Sequence, residues 1–324
     1  MLVISICSLK GGVGKTSVTL GLASAALARG IRTLVVDMDP QADATTGLDV
    51  TALRDASVAD VLRGTRRRVL DAATAPSGWA QDQPGQLDVV VGSPDTAALD
   101  GPATAQRAHG RLAAALARAD DYRLVLIDCP PSLGALTRTA LVASTRAVIV
   151  TEPALFSVSA ADRALRAIEE VRQDVAPDLQ PLGVVVNRYR ERSPEHRYRV
   201  QELSEMFGPL VLTPAIPERS ALQQAQGASR PLHEWPGPAA QELSHLFDQH
   251  LARILRAPRP ARRADTPAQA DTGPAALRDQ PSGQPPAQAA PPSNGARASQ
   301  SSTTAESGSG PAEADSGEGQ PVAR

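Results

Sequence analysis

Near the start of the chain, Ser8-Leu9-Lys10-Gly11-Gly12-Val13-Gly14-Lys15-Thr16-Ser17 gathers glycines, lysines and hydroxyls between the apolar run Leu2–Cys7 and an Ala/Leu-rich stretch. Gly11, Gly12 and Gly14 let the backbone curl so that successive N–H groups converge on an anion. A helix opening at Lys15–Thr16 adds the positive end of its dipole. Lys15 then reaches the β- and γ-phosphates of a nucleotide, and the Thr16 hydroxyl can ligate Mg²⁺. Of 33 basic residues only Lys10 and Lys15 are lysine; the rest are arginine. A general arginine bias accounts for the surface, yet it leaves these two positions untouched. A compact ammonium on a flexible stem suits phosphate oxygens there better than a planar guanidinium.

Two carboxylate-bearing segments follow. Val35-Val36-Asp37-Met38-Asp39-Pro40-Gln41 ends one apolar run, and Leu124-Val125-Leu126-Ile127-Asp128 ends another. Ligands of open α/β sheets sit beyond the carboxyl ends of the strands, which is where these aspartates fall. Four apolar residues then Asp128 have the Walker-B form, which holds Mg²⁺. Asp-x-Asp-Pro alone reads as a turn, and so does Asn187 after the run Leu182–Val186.

Positioning such groups takes a scaffold of alternating elements. Leu2–Cys7, Thr33–Asp37, Leu87–Val91, Leu124–Asp128, Ala147–Thr151, Leu182–Val186 and Leu210–Leu212 read as strands. Several are unbroken Val/Ile/Leu runs, as expected of strands covered on both faces. Helical segments are expected over Thr16–Arg29, Ala105–Ala119, Ser157–Val175, Glu195–Phe207 and Ala239–Arg256. The alternation predicts an α/β, doubly wound, mostly parallel sheet with helices on both faces, a P-loop NTPase fold over residues 1–256. Residues 257–324, rich in Pro, Ala, Gly and Ser and almost without large apolar side chains, are expected to form a disordered tail.

Bulk composition narrows the function. With 324 residues and 42% hydrophobic content, one large core or two modest ones can form. A formal net charge of −2 gives no global basic field, so any nucleic-acid contact must be a local patch. Aromatic content of 2% argues against stacking platforms for single strands. Cys7 and Cys129 have neither disulfide-framework nor metal-site spacing, which suits a reduced cytosol, and Cys129 reads as a small buried residue with no partner cysteine nearby. The N-terminus lacks the basic region and cleavage site of a leader, and no apolar stretch reaches the ~18 residues that span a bilayer. A cytoplasmic protein is expected.

The loop resembles the deviant Walker-A pattern K-G-G-x-G-K-[ST], with Lys10 as the additional lysine. Asp37-Met38-Asp39-Pro40-Gln41 is similar to the D-x-D-P-Q segment of ParA proteins. Asp128-Cys129-Pro130-Pro131-Ser132-Leu133-Gly134 resembles their D-x-P-P-S-L-G stretch, with Thr139 where asparagine is common near the dimer seam. Ile216-Pro217-Glu218, with Gly227 and Pro231-Leu232, resembles a ParA and MinD segment. The likeness runs from residue 2 to about 255 and implies an ATPase using ATP and Mg²⁺. The phosphates would rest on Lys10, Gly11, Gly12, Val13, Gly14, Lys15, Thr16 and Ser17. It implies that Lys10 acts in trans across an ATP-dependent homodimer. Asp39 would position the attacking water, while Asp37 supports the Mg²⁺ shell of Thr16 and Asp128. Asn187 would contact adenine, flanked by Pro217 and Glu218. Partition of a chromosome or plasmid, non-specific duplex DNA, a ParB-type stimulating partner and nucleoid association are implied with it.

Two surfaces stay open between readings. Arg188, Arg190, Arg192, Arg197 and Arg199 form either a phosphate-binding patch or a solvated face with local ion pairs. The stripe Leu243, Leu246, Phe247, Leu251, Ile254 and Leu255 either packs on the domain or, with Arg253, Arg256, Arg259, Arg262 and Arg263, serves a MinD-like membrane helix. The long tail after that stripe favours packing, and a membrane partner is not expected. An iron–sulfur reductase would need cluster-ligating cysteines after Walker B, which Cys129 alone does not supply.

Overall fold

The computed structural model describes residues 1–52, 54–64, 67–82, 86–101 and 110–256. The expected tail at 257–324 and the first residues of the expected helix Ala105–Ala119 lie outside the described residues. Contacts divide the chain into Met1–Thr266 and Pro267–Arg324, and every described residue falls in the first.

Among the described residues eight strands form one sheet: β1 (Leu2–Cys7), β2 (Thr33–Asp37), β3 (Thr74–Pro76), β4 (Leu87–Val90), β5 (Leu124–Asp128), β6 (Arg146–Thr151), β7 (Gln180–Val186) and β8 (Val211–Leu212). Their order is β3-β4-β2-β5-β1-β6-β7-β8. Every pairing is parallel except β3 against β4. The sequence reading lacked β3. Three residues carry no readable period, and Pro76 is tolerated because the strand lies at the edge.

The unbroken apolar runs follow from two cores. Successive side chains of a strand point to opposite faces. On β1, Leu2, Ile4 and Ile6 enter one core, while Val3 and Cys7 enter the other. The first core is closed by α1 (Lys15–Ala28), α2 (Asp43–Gly47), α9 (Ser220–Gly227) and α10 (Pro238–Arg256). The second is closed by α3 (Val58–Arg63), α4 (Arg67–Ala73), α5 (110–116), α6 (Ala135–Val142), α7 (Ser157–Asp174) and α8 (Pro194–Phe207). Short helices α2, α3, α4, α6 and α9 were absent from the sequence reading, since five to eight residues give too few turns for a clear apolar stripe.

The last helix settles one open surface. Leu243, Phe247, Leu251 and Ile254 are buried, Leu246 packs at the margin, and only Leu255 of the stripe is exposed. The stripe packs on the domain, chiefly on α1. A Cβ on Gly21 of α1 would lie 2.2 Å from the Phe247 ring, so glycine there is what lets the ring seat. Arg259, Arg262 and Arg263 of the alternative reading lie outside the described residues. Among the described residues, no helix is long and apolar enough to cross a membrane.

One sequence inference needs correction. The register pairs Ile6 with Asp128, so the next residues, Cys7 and Cys129, come side by side, both fully buried. Cys129 thus has a cysteine neighbour that 121 intervening positions hid. Burial pushes the Cys7 thiol up to about 12 and the Cys129 thiol upward as well, so both stay protonated core residues.

Candidate functional site

The glycine loop, Asp37 and Asp128 converge because β1, β2 and β5 are adjacent and parallel, which brings their carboxyl ends to one edge. The loop after β1 turns through Gly12 at φ 77° and Gly14 at φ 90° before α1 opens at Lys15. Only glycine holds such angles without strain. Gly14 is also closely approached, since a Cβ there would fall 2.3 Å from Asn187 Nδ2. Gly11 is different: its φ is not left-handed and a Cβ would meet Pro131 at an ordinary 3.7 Å. Gly14 is the N-cap and no side chain caps it, so the first-turn N–H groups keep their donors for an anion. Ser8 Oγ donates to the Lys10 carbonyl at 2.7 Å and fixes the start of the loop. Ser17 Oγ donates to Gln226 Oε1 at 3.2 Å, tying α1 to α9.

Lys15 is buried, and its charge acts on Asp128. Asp128 accepts from Thr16 Oγ1 at 2.7 Å through Oδ2 and from Thr19 Oγ1 at 2.9 Å through Oδ1. Asp37 is its register partner on β2, and both are fully buried. Burial, and then the Asp37 charge, push the Asp128 carboxyl up to about 7. Asp37 is raised by burial to about 6, against the pull of two bonds from Thr45. Those bonds run from Thr45 N at 2.8 Å and Thr45 Oγ1 at 2.7 Å to Asp37 Oδ2, and Thr45 Oγ1 itself accepts from Gly92 N at 2.8 Å. A Cβ on Gly92 would stand 2.8 Å from the Asp37 carboxylate. Asp39, nine-tenths buried, accepts from Gln41 N at 3.0 Å through Oδ1 and donates its own N–H to Asp37 Oδ1 at 3.3 Å.

Thr19, Thr45 and Gly92 escaped the sequence reading. Thr19 was readable, lying one helical turn beyond Lys15 and Thr16. Gly92 directly follows the run Leu87–Val91, another strand end at the same edge. Thr45 carries no such signal.

Asn187 follows β7, and its backbone N–H donates to Thr151 O at 2.8 Å. Its amide nitrogen donates to Val13 O at 2.9 Å, so it braces the glycine loop. Tyr189 bridges to Pro217 in parallel and Glu218 N donates to Tyr189 O at 2.9 Å, which brings Asn187, Pro217 and Glu218 to one rim. Glu218 is ion-paired with Arg190, whose hydrogen bond first, and charge second, hold its carboxyl below the ordinary range. Of the remaining arginines, Arg199 is bonded to Glu195 at 2.7 Å and Glu202 at 2.9 Å, and Arg197 to the Glu191 carbonyl at 2.8 Å. The ion-paired reading therefore describes Arg190 and Arg199. Thr139, buried in α6, spends its hydroxyl on Ala135 O at 2.9 Å.

Lys10 lies on the rim, largely exposed, ion-paired with Glu152 just beyond β6. A hollow of about 360 Å³ lies elsewhere, lined by Ser24, Trp79 and His233 near the far end of α1; it is remote from the carboxylates, and volume does not locate this site.

The donor set suits a nucleotide with Mg²⁺. Left-handed glycines and uncapped N–H groups make an anion cradle. Two adjacent buried carboxylates with raised pKa values and a hydroxyl offer hard oxygens and unrelieved negative charge to a small divalent cation. Among the described residues no cluster of three His, Cys, Asp or Glu side chains forms a metal cage; Mg²⁺ ordinarily sits on one or two carboxylates with substrate phosphates completing its shell.

A family described as an AAA domain matches residues 1–181. The chromosome-partitioning ATPase Soj of Thermus thermophilus is 32% identical over 256 residues, covering 78% of this chain and 97% of that protein. The chromosome partitioning protein ParA of Caulobacter vibrioides is 34% identical over 236 residues, covering 71% and 85%. The crystal structure of cobyrinic acid a,c-diamide synthase from Mycobacterium smegmatis, with bound ATP analog and magnesium, superposes with a TM-score of 0.64 at 26% identity, covering 80% of this chain and 98% of that one.

Proposed function

Because this chain belongs to the ParA-type, deviant Walker-A family of ATPases, we propose that it hydrolyses ATP as a nucleotide-dependent homodimer and serves chromosome or plasmid partition. The observation that carries the reading is the pair Asp37–Asp128, register partners at the sheet edge, with Asp128 bonded to Thr16 at the mouth of the glycine loop. ATP and Mg²⁺ are the cofactors.

Each residue has a task that its placement supports. The N–H groups from Gly11 to Ser17 and the buried Lys15 ammonium hold the triphosphate. Thr16, Asp37 and Asp128 hold Mg²⁺, the bonds from Thr45 and Thr19 keeping both carboxylates oriented. Bound Mg²⁺ would neutralise charge developing on the β- and γ-phosphate oxygens. Asp39, one oxygen fixed by Gln41 N–H, orients the attacking water with the other. Lys10 serves the facing subunit's nucleotide, so turnover requires assembly. Asn187, Pro217 and Glu218 edge the base.

In the ATP state the dimer would bind duplex DNA through phosphate contacts, with Arg188, Arg192 and Arg197 the arginines of the patch that hold no carboxylate partner in the bonds described above. A ParB-type partner would stimulate hydrolysis and release it, placing the protein in the cytoplasm on the nucleoid. Co-sedimentation with duplex DNA and with liposomes, each with ATP and with ADP, tests this. ATP-dependent pelleting with DNA that fades steeply with salt is expected. Pelleting with liposomes alone would refute the reading in favour of a MinD-like positioning ATPase.

A further inference from the structure

The parallel register of β1 and β6 places Cys7 opposite Ile149. Counting three residues on from each member of that pair gives Lys10 and Glu152, and the two chain ends deliver this lysine and this glutamate to the same level. Their side chains form an ion pair. Glu152 stands on a built turn: Ala154 N and the Ser157 hydroxyl both donate to its carbonyl, and Ser157 Oγ accepts from Ala154 N at 2.8 Å. The backbone that carries this glutamate is therefore fixed, and its side chain is the less exposed member of the pair, 25% against 59% for the lysine. The pair edges a hollow of about 240 Å³ that also touches Leu9, Phe156 and Arg163. Phe156 and its neighbour Leu155 are largely exposed, so this rim is open to a second molecule.

We propose that Glu152 is a positioning residue for Lys10, holding it against its own subunit until the triphosphate of a second copy displaces the carboxylate. The inference rests on the ATP-dimer reading above. A solvent-exposed ion pair is weak, so it biases the lysine without locking it. A triphosphate carries several times the charge of one carboxylate and captures the ammonium once the two subunits meet. The pair thereby lowers the affinity of the resting chain for assembly, and nucleotide-independent association is suppressed at the residue on which catalysis in trans depends.

The chain's two lysines make the test direct. Full-length protein labelled with ¹⁵N only in lysine has two side-chain ammonium signals, from Lys10 and Lys15. In nucleotide-free Glu152→Gln, the Lys10 signal should move and the Lys15 signal should stay. Sedimentation with ATP should show the Glu152→Gln dimer tightened about four- to thirtyfold, the fold-change of two surface ion pairs, one released by each subunit, of ~0.4–1 kcal/mol each. Glu152→Asp, which keeps the charge on a shorter stem, should fall between this variant and wild type. An unmoved Lys10 signal, or a Glu152→Gln dimer no tighter than wild type, overturns the proposal. Wild type that stays monomeric with ATP overturns the dimer reading and this role together. Dimerising wild type with an unchanged variant sinks the latch alone.

Discussion

Asp128→Asn should make the resting protein more stable while destroying its use of Mg²⁺. Asp128 is fully buried beside Asp37, and its carboxyl is raised from 3.8 to about 7, burial being the larger cause and the Asp37 charge the next. The native state thus binds a proton that the unfolded chain has already released. Stability contributed by this group falls as pH rises from the unfolded value through the folded one, and the loss is complete above it. Between about pH 5 and about pH 8 the loss is on the order of 2–3 kcal/mol. Asparagine removes it without stranding a neighbour: its amide can donate to Thr19 Oγ1, which then donates to Lys15 O at 3.1 Å, while its oxygen accepts from Thr16. Thermal unfolding without nucleotide and with chelator reads the effect. In a chain of this size ~1 kcal/mol moves Tm by about 2–4 °C. Asp128→Asn should therefore exceed wild type by about 4–12 °C near pH 8, and the gap should close toward pH 5. Comparing the two proteins cancels the partly buried His233 and the buried His250, whose lowered pKa values act on both alike. Parallel melting profiles across pH, or a variant less stable near pH 8, would refute the argument that burial and like charge strain this pair.

Lys15→Ala should abolish the rise in Tm that ATP gives wild type, a rise of about 2.7 kcal/mol at a hundredfold excess over Kd; a retained rise would remove Lys15 from the phosphate site. Lys10→Ala should keep that rise, because Lys10 lies on the rim, yet lose concentration-dependent ATP turnover; wild-type turnover would end the role in trans. Gly21→Ala should lower Tm by about 2–10 °C despite gaining ~1 kcal/mol of helix propensity, because its Cβ would sit 2.2 Å from the Phe247 ring. An unchanged melt would show that the α1–α10 seam has slack. Gly14→Ala, left-handed at φ 90° and 2.3 Å from Asn187 Nδ2, should lose nucleotide binding with the fold retained, as read by circular dichroism beside ATP titration.

The sequence by itself determined the parts that depend on local chemistry. Gly12, Gly14, Lys15 and Thr16 had to be contiguous, because backbone N–H groups and a helix start converge on one phosphate only over a few residues. Asp37 and Asp128 were readable because each ends an apolar run, and strands buried on both faces write themselves as such runs. The short elements β3, α2 and α3 were not, since so few residues carry no period. Tertiary structure decided everything that adjacent strands bring together. The pairing of β2 with β5 buried Asp37 beside Asp128, so that burial and then the Asp37 charge raise Asp128, and the pairing of β1 with β5 put Cys7 against Cys129. The pairing of β1 with β6 gave Lys10 its carboxylate, and β7 carried Asn187 back to the glycine loop. Neighbours in a parallel sheet are separated in sequence by at least one crossover, so no spacing rule along the chain announces them; strand order does, and it is fixed only when both cores close.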